Sequence, residues 1–286
     1  MTIRCRPGFL CIGAQKAGTT WLYSNLETHP EVWMPPVKEM HYFNRVIPNE
    51  RLSGKWDLPH PHGIVKRYFY NAITGRLRNI KWLREYYKYG ESREWYLGLF
   101  GDKYTHGKIS GDITPAYSTL DDNGVQYAKD VLGSDTPILL ILRNPIERSW
   151  SAAKMMFRYL NKEYSSNNYE EIRKYLEDPN VTLRSDYANI IRLWQKYFMQ
   201  VSILTYDELC REPMGFLSKI SAVINIQDTW DNDIVSKRIW SDESASPIPA
   251  DISDLLRDQY CNQFDELYSQ TGIQDIQQWK ADEGCV

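Results

Sequence analysis

The 286-residue sequence lacks several things, and each absence removes a class of protein. No run of about 20 apolar residues occurs, as a membrane-spanning helix would need. The opening MTIRCRPGFLCIG has no apolar stretch long enough for a signal peptide. The five cysteines, Cys5, Cys11, Cys210, Cys261 and Cys285, are scattered and odd in number, with no C-x-x-C pair. That pattern speaks against a disulfide framework and a zinc site. Neither sign of charge dominates: 34 basic residues stand against 37 acidic ones, a net charge of −3, so there is no bulk affinity for nucleic acid. Internal repeats and low-complexity tracts are also missing. The expectation is a soluble, cytoplasmic chain of a reducing compartment, with no membrane and no nucleic-acid partner.

What is present reads as alternating strands and helices. The length suits one α/β domain over 1–286 with a modest insertion. Strands are expected at 8–12, 137–143 and 201–206, with a short apolar piece at 32–34. The run Ile138 to Leu142 has no polar interruption, which fits a strand buried on both faces of a parallel sheet. Helices are expected at 18–28, 122–132, 146–160, 169–177, 185–199, 213–223 and 250–271. The pattern predicts a P-loop-like, doubly wound parallel sheet flanked by helices. Between about 45 and 108 it becomes irregular, basic and aromatic, including Lys66, Arg67, Tyr68, Lys81, Trp82, Arg84, Tyr86 and Tyr87. This stretch reads as a helical excursion beside the sheet and a wall for an acceptor.

Two further absences bear on chemistry. Residues 9–22, FLCIGAQKAGTTWL, give a strand, a glycine-rich loop and a helix start, the arrangement that presents backbone N–H groups to an anion. Gly13 and Gly18 have P-loop spacing, yet Thr19 stands where a nucleotide-triphosphatase loop carries lysine. The loop's lysine is Lys16. The strand ending at Leu142 is followed by Arg143 rather than by an acid that would hold Mg²⁺. Arg143 and, eight positions on, Ser151 could instead reach one phosphate. The chain thus offers two separate anion sites at the carboxyl ends of two strands, the usual place for ligands in open α/β sheets.

The loop G-A-Q-K-A-G-T-T-W-L, the piece K-E-M-H-Y-F, the segment D-I-T-P-A-Y, the strand end R-N-P-I-E-R-S-W-S and L-T-Y-D-E-L occur in that order. Together they resemble the sulfotransferases that use 3′-phosphoadenosine-5′-phosphosulfate (PAPS), nearest to the branch of glycosaminoglycan sulfotransferases and their bacterial relatives. The resemblance implies that Gly13, Lys16, Ala17, Gly18, Thr19, Thr20 and Trp21 form the cradle for the 5′-phosphosulfate. It implies Arg143 and Ser151 as anchors of the 3′-phosphate, and 3′,5′-adenosine bisphosphate as the product, with no metal required. Glu39 would be the base, with His41 as its rival. The two would point the same way if residues 39–41 were extended. Lys16 would support the leaving oxygen. The acceptor would be a hydroxyl on a carbohydrate or a small metabolite.

Two departures from that family stand out. Ile113 occupies the place where the glycosaminoglycan enzymes commonly carry lysine, so a heparan-like acceptor gains no support. Their K-G-R-T-H-P-like element has its nearest counterpart in Ser236-Lys237-Arg238, which gives Lys237 and Arg238 as nucleotide contacts. A P-loop kinase and a non-catalytic nucleotide-binding module are the rival classes.

Overall fold

The apolar run Ile138–Leu142 is buried at every residue. In the computed structural model, which describes residues 6–52, 79–88, 90–162, 168–236 and 247–285, it is a strand near the middle of one sheet. The five strands are β1 (Phe9–Gly13), β2 (Val32–Trp33), β3 (Ile109–Ile113), β4 (Ile138–Leu142) and β5 (Val201–Thr205). They lie in the order β2-β3-β1-β4-β5, and every neighbouring pair is parallel. The chain fills one side of β1 with β2 and β3, then crosses to the other with β4 and β5. The loops after β1, β3 and β4 therefore meet at one edge. The expected α/β architecture is observed.

Register follows from side-chain size. Phe9 pairs with Gly111 across β1 and β3, and a Cβ added at Gly111 would lie 2.0 Å from the Phe9 ring. Glycine in the middle of a strand costs conformational entropy; here it makes room for an aromatic ring in the core.

Helix starts follow local chemistry. Asn144 caps the helix Pro145–Tyr159 by accepting from the Ile146 N–H, with proline at the first helical position. Asp121 caps Asp122–Leu132 by accepting from the Gly124 N–H.

Three expectations need correction. The helix read over 250–271 is broken by a 3₁₀ turn, Cys261–Gln263, into Ala250–Tyr260 and Phe264–Thr271. After Gly272, whose φ of 67° only glycine adopts readily, a further helix runs over Gln274–Asp282. These last two helices fold back on each other and bring Cys261 to Cys285, which form a disulfide across 24 positions. Scatter in sequence is not scatter in space. Of the excursion near 45–108, residues 53–78 and 89 lie outside the described residues. The rest holds the helices Ile80–Tyr86, Arg93–Gly98 and Asp102–Thr105. Trp82 and Tyr86 there are buried and stacked at 5.2 Å, so these two pack the core rather than wall an acceptor.

Gly111→Ala is expected to destabilise the protein by about 1–3 kcal/mol through overpacking against Phe9. Urea unfolding of Gly111→Ala, Phe9→Leu and the double variant checks this: the double variant should recover part of the loss, whereas strict additivity would contradict the packing account.

Candidate active site

The loop after β1 is shaped by close approach. Gly18 has φ 82° and ends the loop as the cap of α1 (Thr19–Thr28). A Cβ there would meet Leu209 Cδ1 at 2.9 Å and Tyr206 Cδ2 at 3.3 Å. Both backbone conformation and space therefore require glycine. The first N–H groups of α1 have no partner within the helix and carry its positive dipole end. Ala17 is more self-contained than expected, since its N–H donates to the Ala14 carbonyl at 3.3 Å. Lys16 is half-buried in a left-handed conformation, φ 69°.

Arg143, just beyond β4, joins this loop. Its Nη1 donates to the Lys16 carbonyl at 3.0 Å, and its Nε and Nη2 donate to Glu147 at 3.2 and 3.0 Å. The guanidinium also lies 4.7 Å from the centre of the Tyr206 ring, within cation–π range. Ser151 is half-buried and sits one helical turn beyond Glu147, on the same face of Pro145–Tyr159. The structure thus brings Lys16, Gly18 and Arg143 together, with Ser151 on the adjoining helix face. Tyr206 from L-T-Y-D-E-L is a contact that the sequence reading did not single out.

Glu39 and His41 do meet, but not in an extended segment. Both are left-handed, with φ 64° and 52°, and His41 Nε2 lies 3.4 Å from Glu39 Oε2. Non-glycine residues in this region are strained, and surrounding contacts must hold them. Those contacts come from the segment after β3. The Glu39 N–H donates to the Ile113 carbonyl, the Met40 N–H to Thr114 Oγ1, and the Tyr42 N–H to the Tyr117 hydroxyl, at 3.2, 2.9 and 3.0 Å. Behind them is the fully buried Asp112, whose carboxylate accepts from Thr114 Oγ1, Tyr117 and Tyr96 at 2.7, 2.8 and 2.9 Å. Burial raises the Asp112 pKa above the usual aspartate value, and these three hydroxyl donors oppose the rise.

The Glu39 carboxylate is half-exposed. Burial pushes its pKa up, but His41 and the Lys38 ammonium outweigh this and hold it below the usual carboxylate range. It is ionised at neutral pH, as a base must be. Lys38 does not form a solvated surface pair with Glu39. Its side chain is instead only 11% exposed; Nζ donates to Glu39 Oε1 at 2.9 Å and to Thr19 Oγ1 at 3.3 Å.

Trp21 is buried behind the loop, donates to the Val235 carbonyl and packs edge-on against Phe216. Thr20 is half-buried on α1. Lys237 and Arg238 lie outside the described residues.

The parallel sheet, the glycine-rich loop at a helix N-terminus and the arginine beyond β4 define a P-loop-like α/β fold with a candidate anion site. Comparison with known proteins narrows this class. No family model matches the sequence. Membrane-associated sulfotransferase kil1 of Dictyostelium discoideum is 26% identical over 164 residues, which cover 56% of this chain and 25% of that protein. Human carbohydrate sulfotransferase 15 is 49% identical over 43 residues, 15% of this chain and 8% of that protein. The matched part is thus a quarter or less of either relative's length. In fold, a sulfotransferase from Alicyclobacillus acidocaldarius superimposes with a TM-score of 0.62 at 20% identity, over 95% of this chain and 99% of that one. The sulfotransferase domain from the curacin biosynthetic pathway gives 0.52 at 15% identity, over 82% and 79%. The resemblance read from the motifs is borne out: the relatives in sequence and in fold are sulfotransferases.

Because burial raises the Asp112 pKa in the folded state, its ionisation costs stability as pH rises from the usual aspartate value through the raised one. Asp112→Asn removes that cost while leaving an oxygen for the two tyrosines. Relative to the unsubstituted protein, its stability should therefore improve as pH increases across that interval. Urea midpoints of the two proteins measured from pH 4 to 7 check the sign; a constant difference would contradict it.

Proposed function

We propose that the protein is a PAPS-dependent sulfotransferase acting on a hydroxyl acceptor. One observation carries the reading: the Arg143 guanidinium and the Lys16 carbonyl are bonded at 3.0 Å, so the loops after β1 and β4 adjoin and bring Lys16 and Arg143 to one edge of the sheet. The donor has phosphate at two separate places and needs anchors at both. The start of α1 with Lys16 suits the 5′-phosphosulfate, while Arg143 and Ser151 suit the 3′-phosphate. The donor set, backbone N–H groups, hydroxyls, ammonium and guanidinium, is that of an anion site.

The chemistry is an in-line displacement at sulfur. The acceptor oxygen bonds to sulfur while the bond from sulfur to the bridging oxygen breaks, and that oxygen keeps the electron pair on the departing bisphosphate. The acceptor proton passes to the ionised Glu39, which the D-x-T-P-x-Y segment holds facing the loop. Lys16 stabilises the charge that develops on the leaving oxygen. A carbohydrate acceptor is supported by the name of the relative that shares the 43-residue match. The lysine that the glycosaminoglycan enzymes commonly carry before the Thr-Pro pair is replaced here by buried Ile113, which favours a neutral glycan over a heparan-like polyanion.

Transfer of ³⁵S from PAPS to a panel of neutral glycans, sulfated glycans and phenols tests the reading. Glu39→Gln should lower kcat by about 10²–10⁴-fold, the usual worth of a positioned base. Retained rate in Glu39→Gln with loss in His41→Gln would move the base to His41. Arg143→Ala should weaken 3′,5′-adenosine bisphosphate by about tenfold or more in calorimetric titration; unchanged affinity would remove Arg143 from the donor site.

A further inference from the structure

Lys38 is neither a loop residue nor the base, yet it is the side chain that connects the two. It stands two residues beyond Pro35-Pro36 and just before the left-handed Glu39. Its ammonium is bonded to the carboxylate of Glu39 and to the hydroxyl of Thr19, the first residue of α1. An ammonium carries three N–H donors, and the described residues occupy two of them. Thr19 itself is buried, so the contact holds Nζ at the rim of the loop after β1, the candidate anion site.

Resting on the PAPS reading above, we infer that Lys38 is a shared cation: without donor it clamps Glu39 to Thr19, and with donor it turns to the sulfated 5′-phosphate and frees the carboxylate for the acceptor. A carboxylate bonded by both an ammonium and an imidazole is a weak proton acceptor. Removing the ammonium strengthens it as a base. Donor occupancy would thus arm the base, and Glu39 would be least reactive when no sulfuryl group is present. During transfer the same ammonium touches the group being displaced. As acceptor oxygen bonds to sulfur and the bridging bond breaks, Lys38 joins Lys16 in balancing the electron pair left on the 5′-phosphate, while the acceptor proton goes to Glu39.

Affinity for the product tests this without knowledge of the acceptor. Calorimetric titration with 3′,5′-adenosine bisphosphate is made on the unsubstituted protein, Lys38→Met, Glu39→Gln and the double variant. Lys38→Met should weaken binding by about tenfold or more, the worth of one charge-assisted bond to phosphate. Glu39→Gln should tighten binding severalfold, because Lys38 no longer has a competing carboxylate. In the Lys38→Met background the Glu39→Gln gain should vanish, a non-additivity expected only of residues that share a partner. Unchanged affinity in Lys38→Met, or a Glu39→Gln gain that persists without Lys38, would overturn the inference, the latter showing simple repulsion. If Lys38→Met does not fold, Lys38→Gln replaces it, and a Glu39→Gln variant that binds no tighter is itself contradictory. Should the unsubstituted protein bind no bisphosphate, the donor reading falls first and the inference falls with it.

Discussion

A buried carboxylate is costly unless its lone pairs are filled, and the candidate site is organised around one. Asp112 gathers hydroxyls from the 3₁₀ turn that follows β3, from the helix Arg93–Gly98 and from Thr114. Two of those groups, Thr114 Oγ1 and the Tyr117 hydroxyl, then accept the N–H groups of Met40 and Tyr42. Holding alternate residues from behind is what lets Glu39 and His41 keep left-handed backbones and face the loop after β1. The proposed base is therefore held by the end of β3, the proposed donor site lies at the ends of β1 and β4, and the parallel order of the sheet sets them side by side.

The second tie runs between the donor loops. Arg143 reaches the Lys16 carbonyl and stacks on Tyr206, while Gly18 packs on Tyr206 and Leu209. The segment after β5 thus buttresses both the loop after β1 and Arg143. It explains why L-T-Y-D-E-L accompanies the loop motifs although none of its residues was assigned a chemical role.

Much of this was legible in the sequence for identifiable reasons. An uninterrupted apolar run has few fates other than a central parallel strand, so Ile138–Leu142 was found within a residue at either end. Glycine spacing before a helix marks an anion loop. Arginine in place of a Walker-B acid turned the reading from triphosphate to a donor with two anchors. What was missed depends on three-dimensional partners. Nothing local distinguishes a surface Lys-Glu pair from Lys38, buried between a carboxylate and Thr19. Left-handed conformations at Glu39 and His41 are imposed by tertiary hydrogen bonds that oppose residue preference. The Cys261–Cys285 bond needs the fold of the last two helices, and it takes away the reasoning from scattered cysteines to a reducing compartment.

The central claim is that the loop after β1 and Arg143 together hold a nucleotide phosphorylated at two places. A ligand that binds the folded state raises the melting temperature by mass action. Thermal unfolding with 3′,5′-adenosine bisphosphate, set beside ATP with Mg²⁺, tests the claim most directly. The account predicts a clear rise with the bisphosphate in the presence of a chelator, and its loss in Arg143→Ala. A rise with ATP and Mg²⁺ alone would contradict it and return the loop to the kinases.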